Sequence, residues 1–478
     1  MILGGPASVL GEEGVGAVHG TAMRIVSEIG CEVHDEAGLE LLRAAGQRVD
    51  GTRVRVDPDW LLESIAYAPS EFTVYGRAPG REVTIGGVHP PVLMASGGSP
   101  FCSDRERGRR EGTIADHDEL VRLCHASGIL HMNQAGVVEA QDLAAASRHL
   151  RMEYSCLRFS DRPFAAYGGT GERARDGLEL VALAHGGRER LAERPAVVGI
   201  VNPNSPLVWD GAMVGALREW AAAGQPVAVT PFLLGGASSP VTLAGALAQQ
   251  TAEALFGVAL AQLVRPGAPC AFGSFTTPVD MRSGGPAFGT PEAVLATIAG
   301  GELARRYGLP YRGGGALCSG NTLDGQAASE SAMTLWATFL SGSHVVLHAA
   351  GWLEGGLTTS YEKLVIDVAL LRSFARIGDG IGVSEGELAL AAIAEEGPGG
   401  MFLAADHTVE RFRSLWMSPL FRTQAYVTWQ KQGSPRQDEL ATGEWQRLLE
   451  SYEDPGLDPE LDAELLAYIA RREEELDG

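Results

Sequence analysis

Side chains able to do chemistry gather in this chain where short apolar runs stop. The run His344–Gly351 leads into His348-Ala349-Ala350-Gly351-Trp352, and the run from Phe164 ends in Tyr167-Gly168-Gly169-Thr170. Others finish in His131-Met132-Asn133-Gln134, Asn202-Pro203-Asn204-Ser205-Pro206, Leu233-Leu234-Gly235-Gly236, Ser274-Phe275-Thr276-Thr277 and Arg312-Gly313-Gly314-Gly315. Few of these positions are charged. Neutral hydrogen-bonding groups, aromatic rings and bare glycine backbone suit a ligand closely surrounded by protein, together with a large flat cofactor. No run ends in a lysine nucleophile or a pair of carboxylates, which disfavours a barrel aldolase or hydrolase.

The elements that must carry these residues alternate in type. Apolar, β-rich runs at Ile129–Val137, Phe164–Gly169, Ala196–Asn202, Pro226–Leu234, Cys270–Thr276, Tyr311–Leu317, His344–Gly351 and Met401–Asp406 read as strands. Between them, Ala144–Arg158, Ala212–Ala223, Leu243–Leu263, Pro291–Tyr307, Gln326–Leu340 and Glu362–Ala375 have helical patterning. Eight βα repeats predict a (β/α)8 (TIM) barrel over 116–478 with helices at its C-terminal end, and a doubly wound open sheet is the alternative. No G-x-G-x-x-G opens a helix after a strand, which disfavours a dinucleotide fold. Residues 1–115 read as an α+β extension, with helices at Val15–Ile29 and Glu36–Ala45 and a hairpin from Phe72–Tyr75 to Glu82–Gly87. The charged run Asp104–Glu111 is expected to be an exposed turn. In a barrel the C-terminal strand ends form the active-site mouth, so the run ends are the candidate site.

The chain has 478 residues and a net charge of −22, from 38 Lys+Arg and 60 Asp+Glu. That balance argues against nucleic acid and anionic membranes as partners, because both are bound through basic residues. The 62 glycines have no G-X-Y period, so they point to tight loops and close backbone approaches. Six scattered cysteines without a C-x-x-C pair argue against a disulfide scaffold and a zinc knuckle. The N-terminus lacks the pattern of a signal peptide. The most apolar stretch, Leu243–Val264, carries Gln249, Gln250, Thr251, Glu253 and Gln262 and reads as a buried helix, not a membrane span. The expected compartment is the cytoplasm.

Three stretches resemble the trimethylamine methyltransferase family. They are His348-Ala349-Ala350-Gly351-Trp352-Leu353-Glu354-Gly355-Gly356-Leu357, then Glu396-Gly397-Pro398-Gly399-Gly400-Met401-Phe402-Leu403 followed by His407-Thr408, and Cys31 to Ile85 with its Pro69–Arg77 segment. The resemblance implies a (β/α)8 enzyme passing a methyl group from a methylated amine to a corrinoid (cobalamin) held by a separate protein. Founding members of the family carry pyrrolysine near the sixth barrel unit, where this chain has only standard residues, Asp324 to Glu330. The resemblance is therefore to the branch without pyrrolysine and implies a quaternary amine such as glycine betaine as donor. A tertiary amine (trimethylamine) enzyme and a non-catalytic betaine- or corrinoid-binding barrel remain the alternatives.

On that reading a quaternary ammonium, lacking N–H, is held by aromatic faces: Trp352, Phe275 and Tyr167 first, then Phe232 and Trp209. A substrate carboxylate falls to Arg312 and the backbone of Gly313, Gly314 and Gly315, with Arg282 as another anchor. The same glycines would let a corrinoid-bearing partner approach. His348 is the leading catalytic candidate. Asn202, Asn204, Gln326, Glu330 and Glu354 complete the mouth, Glu330 and Glu354 favouring a cation, while His407 holds the last barrel loop. A zinc site would need Cys318, His348 and His131 on one rim; ligand spacing is too sparse to expect a directly bound metal. A homo-oligomer is admissible.

Overall fold

Eight short parallel strands form the centre of the computed structural model, which describes residues 5–477. They are β1 (Val92–Leu93), β2 (Asn133–Gln134), β3 (Phe164–Ala165), β4 (Val197–Val201), β5 (Val227–Val229), β6 (Cys270–Gly273), β7 (Tyr311–Gly313) and β8 (Val345–Val346). The hydrogen-bonded order runs β1-β8-β7-β6-β5-β4-β3-β2. A parallel bridge between Met94 and Met132, with His131 N donating to Leu93 O at 2.8 Å, joins β1 to β2 and closes the barrel. The fold is a (β/α)8 barrel.

Each strand is followed by a helix: α1 (Ile114–Ala126), α2 (Arg148–Phe159), α3 (Gly171–His185), α4 (Gly211–Ala222), α5 (Leu243–Val264), α6 (Pro291–Arg306), α7 (Gly325–Leu340) and α8 (Tyr361–Gly378). Local chemistry starts most of them. Thr113, Thr170, Asp210, Thr290, Asp324 and Ser360 each accept a backbone N–H of the following first turn. α5 is buried around most of its circumference because the N-terminal helices Gly11–Arg24 and Pro58–Ile65 pack on its outer face. That explains its apolar run without a membrane; among the described residues no helix is long and apolar enough to cross one.

Three expectations need correction. Met401–Asp406 is not a strand: Phe402–Ala404 is one 3₁₀ turn, a helix begins at Asp406, and Met401 and Leu403 are exposed. The seat it was expected to fill, between β8 and β2, is taken by β1, which comes about 300 residues earlier in the chain. The barrel therefore begins before residue 116, inside the stretch read as an extension. The Asp104–Glu111 run is also more than a solvated turn. Phe101–Asp104 and Gly108–Glu111 pair as a hairpin, and buried Asp104 and Asp116 hold Arg107 and Arg110.

The hairpin Glu71–Val74/Val83–Gly86 forms as expected and fills the lower end of the barrel. Phe72, Val74 and Ile85 pack against the inward residues Ala165, Ala228 and Ala271 of β3, β5 and β6. Alanine at those three positions leaves the volume the hairpin occupies. The residual cavity beneath Arg312 is only ≈10 Å³, about the least that could hold one water, so the floor is sealed. Anything that binds in the barrel does so from the C-terminal side.

Candidate functional site

Arg312 is the middle residue of β7. Tyr311 points out to α6, its hydroxyl donating to Thr297 O at 2.8 Å, so strand alternation turns Arg312 inward among Met94, Ile200 and Leu347. It is 3% exposed and forms no ion pair with any carboxylate among the described residues. Its Nε and Nη1 have no hydrogen-bond partner, and its guanidinium carbon stands 5.0 Å from the centroid of the Phe275 ring. Burial draws its pKa down to about 10. A buried cation left without an anion costs several kcal/mol. It is the kind of feature a fold keeps for a ligand.

His348 follows β8 with φ +60°, a left-handed conformation costly for a residue with a Cβ. Its Nδ1 lies 3.3 Å from Gly97 N, and its Nε2 is 3.4 Å from Arg312 Nη2. A neutral imidazole offers one lone pair, so only one of these N–H groups is accepted at a time. Burial and the Arg312 charge hold its pKa well below the usual value, and the ring is neutral.

Aromatic rings surround this pair. Phe232 and Phe275 sit opposite each other in a short parallel pair, Phe232–Gly235 with Phe275–Pro278, beyond the ends of β5 and β6. Ring centroids are 5.1 Å apart for Phe232 and Phe275, 5.3 Å for Phe275 and Phe288, and 5.5 Å for Phe288 and Trp352. Trp352 lies edge-on to both Phe275 and Phe288 and 4.3 Å from the His348 ring. Further buried polar atoms without partners come from the ends of β1, β2 and β8: Ser96 Oγ, Asn133 Nδ2, Gln134 Oε1 and Trp352 Nε1. The Gln134 side-chain amide lies close against the Gly97 backbone, where a Cβ would displace it. Cationic, aromatic and unsatisfied polar groups thus meet above a sealed floor.

Of the residues expected from sequence, the fold brings His348, Arg312, Trp352, Phe275 and Phe232 together. The others are engaged elsewhere. The Tyr167 hydroxyl donates to Glu139 at 2.7 Å, and the Arg173 guanidinium already covers its ring at 5.3 Å. Asn202 Nδ2 donates to Thr230 O and Asn204 Nδ2 to Asp210. Glu330 accepts from Ser319 N, Gly320 N and Gln326 Nε2 and so braces the loop after β7. Glu354 is paired with Arg109 at 2.9 Å, which offsets the negative potential expected of it. Gly313, Gly314 and Gly315 are buried, and a Cβ on them would strike Ser343, Leu317 and the His348 carbonyl. They serve close packing and present no bare backbone to a partner. Trp209 is buried against Phe256, away from the mouth. Arg282 N bonds Asp280 in an exposed turn. His407 contacts Gly386 O, outside the barrel.

Sequence reasoning missed Phe288, Ser96 and Gly97. Phe288 stands in a loop before α6 with no local pattern to mark it. Ser96-Gly97-Gly98 does follow an apolar run, Val92-Leu93-Met94-Ala95, as at other strand ends, but that run lay in the part read as an extension.

Fold and site define a barrel that gathers an unpaired buried arginine, a neighbouring histidine and a cluster of aromatic rings at the C-terminal ends of its strands. The chain belongs to the trimethylamine methyltransferase (MTTB) family, whose profile matches residues 4–477. It is 38% identical to a glycine betaine methyltransferase of Desulfitobacterium hafniense over 98% of both chains. A proline betaine:corrinoid methyltransferase of Eubacterium limosum is 29% identical over 85% of this chain and 86% of its own. A trimethylamine methyltransferase of D. hafniense is 29% identical over 97% and 94% respectively.

Proposed function

We propose that the chain transfers a methyl group from a betaine, a quaternary amine bearing a carboxylate, to the reduced corrinoid of a partner protein. Arg312 carries this reading. A buried guanidinium with two unpartnered nitrogens suits a carboxylate, and pairing would offset the cost of its burial. Trimethylamine has no group for it. The names of the betaine-using relatives support the same substrate class.

The rings then have a task of their own. A quaternary nitrogen has no N–H to donate, so only π faces and shape can hold it, and Phe275, Phe288 and Trp352 supply them beside Arg312. A reduced Co(I) corrinoid supplies the nucleophile: its electron pair forms the Co–C bond while the N–C pair stays on nitrogen. The amine leaves neutral and no proton moves. Neutral His348 is consistent with that balance, since it holds no spare proton to give. It stands against Arg312 and Trp352 as a positioning group. A low-dielectric pocket favours a step in which the positive charge on nitrogen is lost.

The buried polar atoms left open at the mouth, Ser96 Oγ, Gln134 Oε1 and Trp352 Nε1, suit a polar group brought in by a partner. A reducing compartment such as the cytoplasm fits six buried cysteines, all free.

The test is methyl-cobalt formation from Co(I) cobalamin with glycine betaine, proline betaine, choline and trimethylamine in parallel. Turnover of a betaine but not of choline, which has the ammonium without the carboxylate, supports the reading. Equal turnover of choline, or turnover of trimethylamine alone, overturns it.

A further inference from the structure

Between α8 and the helix Gln437–Glu450 the chain leaves the barrel as an arm. Its short helices, Glu385–Leu388, Leu390–Glu396, Asp406–Arg411 and Tyr426–Lys431, contain no buried residue. The arm is nevertheless rich in large apolar side chains. Ile381 is 92% exposed, Leu403 80% and Leu390 74%, and fifteen such residues between Ile381 and Val427 are exposed. At roughly 200 Å² each and about two-thirds exposure, they present on the order of 2,000 Å². The largest apolar patch of a typical monomer is about 300–600 Å², whereas permanent homodimer interfaces bury about 2,000–5,000 Å². Water is not the natural partner of this surface.

Charge indicates what is. Residues 381–406 contain five acids (Glu385, Glu387, Glu395, Glu396, Asp406) and no Lys or Arg. Residues 407–436 contain five bases (Arg411, Arg413, Arg422, Lys431, Arg436) and one acid, Glu410. Within the chain these halves do not neutralise each other. Among the described residues Arg411 pairs with adjacent Glu410 and Arg436 with Asp438, and no ion pair joins the two halves. A twofold axis laid across such an arm sets each acidic half on the basic half of the other copy. Self-complementarity of this kind is what an isologous interface requires.

We propose that the arm is a homodimerisation element: two copies of this chain pair arm to arm, antiparallel, burying the apolar side chains between reciprocal acidic and basic halves. An apolar groove of ≈350 Å³ lies at the arm's root, where α8 ends, lined by Pro91, Trp336, Phe339, Phe374 and Ile377. A generic acidic or basic partner protein would complement one half and repel the other. Only another copy complements both.

The experiment measures mass by light scattering on the full chain and on two charge-reversed variants. One carries Glu385→Lys, Glu395→Lys and Glu396→Lys; the other carries Arg413→Glu, Arg422→Glu and Lys431→Glu. All six residues lie outside the barrel, so circular dichroism should match the parent chain. The parent is expected at twice the protomer mass or an even multiple, each variant alone at the protomer mass, and their equimolar mixture back at twice that mass. A parent that is monomeric or an odd-numbered oligomer overturns the proposal. So does a pair of variants that keep the parent's mass, or variants that fall apart and fail to recombine. A monomeric parent whose arm is protected from proteolysis only when the corrinoid protein is added assigns the surface to that partner instead.

Discussion

Two cations are buried within one βα unit of each other, and the protein treats them in opposite ways. Lys363, on α8, has its Nζ within 2.6 Å of both Asp367 oxygens, and Asp367 also accepts Gly351 N at 2.9 Å. Arg312, on β7, has no carboxylate at all and two idle nitrogens. A cation with its anion supplied by the chain belongs to the architecture. A cation with none keeps its place for something that arrives. Glu153 on α2 shows a third solution: fully buried, with one oxygen unpartnered, it sits at a pKa of about 8 and takes a proton instead of a partner. Arginine keeps its proton to much higher pH, so at Arg312 the deficit persists at neutral pH.

The contrast can be broken at either end. The largest expected effect is on activity: Arg312→Met should lower betaine kcat/KM by about 10³-fold, some 4 kcal/mol, because the ligand's carboxylate loses its charge-assisted bonds. The thermal midpoint should hold or rise, since an unpaired buried charge is removed. A variant that melts far below the parent would show that Arg312 is architectural like Lys363. In the unmodified chain the same dependence should appear with pH. Arg312 binds an anion only while protonated, so betaine affinity by calorimetry should fall as pH rises through about 10 and stay level from 7 to 9.

Lys363→Met should show the reverse pattern. It strands Asp367 in the interior and should cost about 3–5 kcal/mol in denaturant unfolding, and adding Asp367→Leu should recover most of it. If the single variant is as stable as the parent, the pair is not structural. A smaller effect is expected at Glu153. Between pH 4.5, its ordinary value, and about 8 the unfolded chain has lost a proton that the native state keeps. Stability therefore falls as pH rises across that window and levels off above it. Glu153→Gln should flatten the fall and gain on the order of 2 kcal/mol at pH 8 with no gain at pH 4, read by urea melts at both. The smallest change is Phe288→Leu, which removes one π face: betaine KM should rise about 5-fold, near 1 kcal/mol, with kcat little changed.

Much of the barrel was legible because its signals are local. Seven of the eight barrel strands lie within runs picked out by hydrophobic patterning, and caps such as Thr170, Asp210 and Asp324 mark where the mouth turns into helix. β1 escaped because its two paired residues, Val92 and Leu93, follow Pro90-Pro91 in a region crowded with hairpins. Met401–Leu403 was misread for the opposite reason: an apolar run of strand-like composition that no sheet edge receives. At the candidate site, the fold brings together His348 and Trp352, which were picked from their place after an apolar run. Tyr167 and Glu354 were placed there on the same ground, yet Glu139 and Arg109 claim them. The strand-end rule locates a residue at the mouth without saying whether a neighbour has already satisfied it.

Sequence alone determined the βα rhythm and the helix starts. These depend on side-chain period and on hydrogen bonds spanning a few residues. Only the tertiary structure decided that Phe72 and Ile85 seal the barrel floor, that Phe288 joins the aromatic rings, and that Arg312 has no counter-ion while Lys363 has one. Whether a buried charge is satisfied depends on every group within a few ångströms in space. Here those groups come from strands more than two hundred residues apart, as the contact of His348 with Gly97 shows.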